Sequence, residues 1–160
     1  MSLQRPIGSD HQLARLLQIG VVLEEVVEAR AAKHAREATD DRPDAVTELL
    51  EEAETESAEH RERLEDLIDE LEAETVPFDE IERLVEAQYE AEEAFDGVLY
   101  DQLCNEETAY KFYDDLIAAI EKSEVEFSIG TDRLIDVLAS IREEEAAGAE
   151  EVTELMEERE

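Results

Sequence analysis

The chain has 160 residues, 42% of them hydrophobic but only 5% aromatic, and it contains no Trp. Its 48 acidic residues against 14 basic ones give a formal net charge of −34. That length suits one domain with a real core, built mostly from Leu, Ile, Val and Ala. The charge argues against nucleic acid and against anionic membrane surfaces, both of which call for patches of Lys and Arg.

Five Gly, three Pro and few β-branched runs leave long helices as the natural consequence. A disordered acidic tail would hold its acids in one block without apolar residues. Here they are spread along amphipathic stretches, so the charge reads as adaptation to a salt-loaded cytosol. Near 1 M salt the Debye length is roughly 3 Å, which screens this repulsion. Cys104 is the single cysteine, so there is no intrachain disulfide and no thiolate cluster. It reads as an inert, partly buried thiol. The start of the chain shows no basic segment followed by an apolar one, and the apolar run from Ile19 to Leu23 is too short to span a bilayer. Both features place the protein in the cytoplasm.

Residues 1–8 read as a tail, with 9–160 forming a single helical bundle domain. Ser9 or Asp10 can cap a first helix whose apolar face runs Leu13, Leu16/Leu17, Gly20, Leu23, Val27 and Ala31. The stretch from Thr39 to Asp44 ends it, and Pro43 fits the first turn of a second helix. That helix runs to about Glu74 with the face Val46, Leu49/Leu50, Ala53, Leu64, Leu67/Ile68 and Leu71. Thr75 to Asp79 breaks it. A shorter amphipathic helix over 80–95 carries Ile81, Leu84/Val85 and Phe95, and Asp96-Gly97 is a break. The third long helix carries Leu99, Leu103, Ala109/Tyr110, Tyr113, Ile117 and Ile120. After a loop over 124–130, Thr131 or Asp132 caps a fourth with the face Leu134, Leu138, Ile141, Val152 and Leu155.

The pattern predicts an all-α four-helix bundle with an extra short helix in a long crossover between helices two and three. Such a crossover lets those two helices run parallel. An uninterrupted helix through Asp96-Gly97 would instead give a plain up-and-down bundle.

Each apolar face is interrupted near its middle by polar residues. Glu24 stands on the first, Ser57 and His60 on the second, Glu106 on the third, and Glu145 with Gly148 on the fourth. Carboxylates meeting in one layer must be protonated, paired or bound to a cation. Carboxylates plus imidazole from facing helices form the ligand set of di-iron and di-manganese bundles.

At these residues the chain resembles the ferritin-like superfamily, most closely its rubrerythrin branch, in a form rich in acid and poor in Lys like haloarchaeal proteins generally. The resemblance is carried by Gly20-x-x-x-Glu24, by His60 followed by Leu64 and Leu67, by Glu106-x-x-Ala109-x-x-Phe112-Tyr113, and by Ile141-x-x-x-Glu145. It implies a ferritin-like bundle that handles iron or peroxide. The implied metal ligands are Glu24, His60, Glu106 and Glu145, for iron or manganese, with Ser57, Tyr110 and Tyr113 as their hydrogen-bonding neighbours. The departures are Ser57, where the family has a Glu, and Gly148, where it has a His. The di-iron motif is therefore degenerate: enough for one ion and thin for two. Glu56 or Glu59 could replace the missing Glu only if the second helix rotated or bulged. No Cys-x-x-Cys pair is present, so electrons would come from a separate donor.

The competing reading is a metal-free bundle serving as an interaction or scaffolding protein. In it His60 is a hydrogen-bonded core residue, satisfied by Ser57, Tyr110 or Tyr113. Its binding surface would use Phe78, Ile81, Tyr89 and Phe95. A homodimer is expected under either reading. His11 and His34, near the ends of helix one, read as surface or end-cap residues. The runs Glu143–Glu145 and Glu157–Glu158 are most simply solvated.

Overall fold

The computed structural model describes residues 6–37, 43–73 and 97–158. They form four helices: α1 (Asp10–Arg36), α2 (Asp44–Glu70), α3 (Val98–Glu121) and α4 (Thr131–Glu158). No strand occurs among the described residues. None of their helices is long and apolar enough to cross a membrane. The short helix expected over 80–95, with Phe78, Ile81, Tyr89 and Phe95, lies outside the described residues.

Local sequence explains most of the ends. Ser9 caps α1 by accepting the Gln12 N–H at 3.2 Å, and Lys33 and Arg36 place positive charge against its C-terminal dipole. Pro43 lies one residue ahead of α2 rather than inside its first turn. Leu71, in extended backbone, ends that helix before the expected Glu74. Gly97 precedes α3 at φ 101°, a conformation that side chains with a Cβ avoid, so the break there is a true one. Thr131 is already the first residue of α4 rather than its cap.

Two apolar clusters give the helix directions. The larger joins Leu13 and Leu17 of α1, Leu64 and Leu67 of α2, Leu116 and Ile120 of α3, and Leu134 and Leu138 of α4. The smaller joins Val46 and Leu50 of α2, Leu99 of α3 and Val152 of α4, with Ala35 of α1 against them. Thus α1 and α4 run from the large cluster to the small one, while α2 and α3 run the opposite way. Helices two and three are parallel, and Ala73 and Gly97 lie at opposite ends of the bundle. Each helix of 27 residues is about 40 Å long.

The loop after α3 ties the large-cluster end together. Ser123 Oγ accepts the Ile7 N–H at 2.8 Å, Asp10 accepts the Ser128 N–H at 3.0 Å, and Ser128 Oγ accepts the Glu72 N–H at 2.9 Å. Ile7, read as part of a tail, is buried against this end. Arginines then cross between helices. Arg61 bonds Glu28, Arg63 bonds Glu144, Arg133 bonds Glu70, Arg142 bonds Asp114, and Arg30 bonds Asp101. Such exposed or half-exposed pairs contribute roughly 0–1 kcal/mol each, so the clusters carry the fold.

Leu138 is fully buried in the large cluster. Leu138→Ala is expected to cost about 2–5 kcal/mol, measured by denaturant unfolding in molar KCl. A loss below about 1 kcal/mol would mean that this end is not packed as described.

Candidate metal centre

Between the two apolar clusters lies a polar layer with one contribution from each helix. Glu24 comes from α1, His60 from α2, Glu106 from α3 and Glu145 from α4. All four are buried, His60 completely and Glu106 with only 6% exposure. They meet because each stands on its helix's inward stripe at spacings of three and four. On α2 that stripe is Ala53, Ser57, His60 and Leu64; on α4 it is Leu138, Ile141, Glu145 and Val152.

His60 is the hub. Its Nδ1 stands 2.9 Å from Glu145 Oε1 and 3.3 Å from Glu24 Oε1. Glu24 Oε1 also accepts the Tyr113 hydroxyl at 2.6 Å. Glu24, His60 and Glu145 each offer one donor atom, all within 4.8 Å of one another. Two donors about 2.1 Å from one ion and at right angles stand about 3 Å apart, so the spacings around Nδ1 suit adjacent ligands. Glu106 lies alongside. Gln102 Nε2 donates to its Oε1 at 2.8 Å, and its carboxyl pairs with that of Glu145. Glu24 Oε2, Glu106 Oε2 and His60 Nε2 are buried without a hydrogen-bond partner. Buried atoms of this kind are costly to leave unpaired; the mutually close donor set is Glu24, His60 and Glu145, and Glu106 lies outside it.

The electrostatics follow from dryness. Burial, then the charge of Glu24, pushes the Glu145 carboxyl well above the usual carboxylate range. Burial likewise raises Glu106. The nearness of these two buried carboxyls favours a proton on the pair. For His60, burial pulls the pKa down, but the hydrogen bond and charge of Glu24, with Glu56 and Glu144, outweigh it and leave the imidazole above its ordinary value. On the other side of the ring, Nε2 is 3.7 Å from both Glu56 Oε1 and Glu144 Oε2. Burial and the charge of Glu106 raise Glu56 to about 7.

Among the remaining candidates, Ser57 is buried one turn before His60. Tyr113 is buried and donates to Glu24, whereas Tyr110 is 38% exposed and stands at the surface. Cys104 is partly buried. His34 pairs with Asp101 at 2.9 Å near the end of α1, and His11 is exposed. Gly148 has a specific consequence: a Cβ there would lie 2.7 Å from Glu106 Oε2 and 2.8 Å from its Cδ. The Glu106 carboxyl occupies the room that a side chain at 148 would need. Gln102 and Asn105, both buried beside Glu106, were missed. The signal was present in Leu99, Gln102, Glu106, Ala109 and Tyr113, an unbroken three-four spacing that places Gln102 inward and leaves Tyr110 out.

No protein-family description, curated protein or solved structure matches the chain.

Two predictions follow from this layer. Glu56, Glu106, Glu145 and His60 all have folded-state pKa values above their ordinary ones. The folded chain therefore binds more protons than the unfolded one above about pH 4.5, and stability falls as pH rises from there through 7. The lowered pKa values of Glu144 and Glu70 act below 4.5 with the opposite sign. The metal-free protein in fixed molar KCl should thus be most stable near pH 5 and weaken toward pH 8. Denaturant titrations across that range check it, and a rising curve contradicts it.

The second prediction concerns Gly148. In a Glu106→Ala background, Gly148→Ala should gain about 1 kcal/mol of helix propensity. In the wild-type background the same change should destabilise, because the buried carboxyl must move. A double-mutant cycle with no coupling between 106 and 148 would show that Glu106 does not occupy this notch.

Proposed function

We propose that this protein is a ferritin-like bundle, related in design to rubrerythrins, that binds a single iron or manganese ion through Glu24, His60 and Glu145, with Glu106 as a fourth donor. The observation that carries the reading is the convergence of one imidazole nitrogen and two carboxylates from three helices in a dry layer, each carboxylate at adjacent-ligand distance from Nδ1. The parallel course of α2 and α3 supports the ferritin-like connectivity, since bundles of that type carry one long crossover. One imidazole with two or three carboxylate oxygens suits iron or manganese better than the thiolate-preferring metals.

A bound ion of this kind would supply one-electron chemistry toward peroxide. The chain's own residues prepare the site. Tyr113 holds Glu24 through its hydroxyl, and Gln102 holds Glu106. Without an ion Nδ1 shares a proton with Glu145 at 2.9 Å; an ion bound at Nδ1 would displace that proton, and Glu56 and Glu144 beside Nε2 would then favour a proton on that edge. Electrons would reach the site from a separate donor. A homodimer without nucleic-acid or membrane partners is part of the same proposal, and the acid surface supports the last two terms.

A metal-free interaction protein is the second reading. It is favoured by the Glu106–Glu145 pair, in which a shared proton satisfies two buried carboxyls without any ion. Metal analysis separates the two. Protein purified in molar KCl without a His-tag, then loaded anaerobically with Fe(II) or Mn(II), should hold about one ion per chain. Glu24→Gln/Glu145→Gln should hold none while keeping its helical circular dichroism. A wild type without metal after loading leaves the metal-free reading standing, and two ions per chain would contradict the single-ion site.

A further inference from the structure

We propose that the open groove between α2 and α4 is a binding seat for a divalent cation and the route by which the buried layer is loaded; the second half of this proposal rests on the metal reading above. The groove, about 490 Å³ in volume, is lined by Glu48, Glu52, Glu56 and Glu59 of α2 and by Glu144 of α4, with no basic side chain among its lining residues.

Acidic surface is everywhere on this protein, so acidity alone distinguishes nothing. What distinguishes this groove is the group that lies behind two of its lining residues. His60 is completely buried, and its Nε2 has no hydrogen-bond partner. That nitrogen faces Glu56 Oε1 and Glu144 Oε2, each 3.7 Å away, too far for a hydrogen bond. Both glutamates line the groove. The opposite nitrogen of the same ring, Nδ1, faces Glu24 and Glu145. One imidazole thus stands between a carboxylate-lined groove and a carboxylate-lined interior. Arg63 holds Glu144 by two hydrogen bonds, to Oε2 at 2.5 Å and Oε1 at 3.2 Å, and so fixes one wall of the seat. Glu56, half-buried on the other wall, is the side chain free to follow an ion inward.

A cation in the seat meets hard carboxylate oxygens. This set suits Mn(II) or Fe(II), and their double charge favours them over the potassium that surrounds the protein. Opposite charge concentrated in a cleft raises local ion concentration and on-rates by roughly 10–1,000-fold, least at high salt.

The test uses Mn(II) as probe and three proteins in the same KCl buffer. Glu48→Gln/Glu52→Gln/Glu59→Gln neutralises the mouth of the groove. Glu25→Gln/Glu107→Gln/Glu121→Gln removes equal charge from exposed positions elsewhere. Stopped-flow uptake should be about tenfold slower in the groove variant than in the control variant, with the same final stoichiometry. Equal rates in the two variants overturn the loading route.

A second measurement does not need the buried layer. In ¹⁵N-labelled Glu24→Gln/Glu145→Gln, substoichiometric Mn(II) should broaden the amides of residues 48–59 and 144 before those of other acidic helix faces. Even broadening over the whole surface overturns the seat. Groove broadening in a protein whose wild type takes up no manganese would keep the seat and overturn both the single-ion function and the loading route.

Discussion

Three carboxyls packed around one imidazole in a water-excluded layer set the terms for this bundle. Leaving Glu24, Glu106 and Glu145 all ionised and unpaired would cost several kcal/mol per charge, more than a domain of this size has to spare. Two protons would resolve most of the conflict, one on His60 and one shared between Glu106 and Glu145, in line with their raised pKa values. The layer then carries a net charge of about −1, counted over four residues. A divalent ion bound to a neutral His60 and three carboxylates leaves the same charge. Metal uptake would exchange two protons for one ion without altering the buried charge. On the metal reading, the pH dependence of the layer and its uptake of an ion would have one origin.

The rest of the fold serves to keep that layer closed. Apolar clusters above and below it exclude water, and their residues run in the same stripes as the polar ones. Gly20 lets α1 approach closely enough that a Cβ there would stand 3.1 Å from Leu64 and Phe112. Gly148 acts differently: it opens a notch on α4 that Glu106 fills from α3. A side chain at 148 and an inward Glu106 carboxyl compete for one volume. Gly148 and the inward position of Glu106 are thus a single structural fact.

Much of this was legible beforehand, for a physical reason. The face of α2 read from its sequence, Val46 to Leu71 through Ser57 and His60, is buried throughout, because Leu and Ala at strict spacing leave no competing stripe. On α3 two stripes compete. Leu103 and Tyr110 look apolar and Gln102 and Asn105 look polar, yet the inward stripe is the one through Gln102 and Glu106. Side-chain chemistry was the weaker guide there, since a buried carboxyl needs polar neighbours. The directions of α2 and α3 depended on whether Gly97 interrupts the helix, and its positive φ answers that. What no pattern could supply was the second face of His60. Glu56 stands one turn before His60 on the same helix, but the approach of Glu144 to Nε2 depends on how α4 docks against α2, a relation between residues 84 positions apart in the chain.

The surface and interior acids answer to different variables. Exposed carboxylates repel through solvent, and molar salt screens them within roughly 3 Å. Those in the buried layer have no ions between them, so salt reaches them only weakly and protons or a bound cation must do the work. Glu56 and Glu144 belong to both populations: each side chain is about one-third exposed, at 33% and 35%, yet each touches the environment of a fully buried ring. Their pKa values diverge accordingly. The Arg63 guanidinium holds Glu144 below the usual range against its partial burial, while Glu56, without such a partner, is raised by burial to about 7. One wall of the groove is therefore a fixed anion and the other an acid that gives up its proton near neutrality.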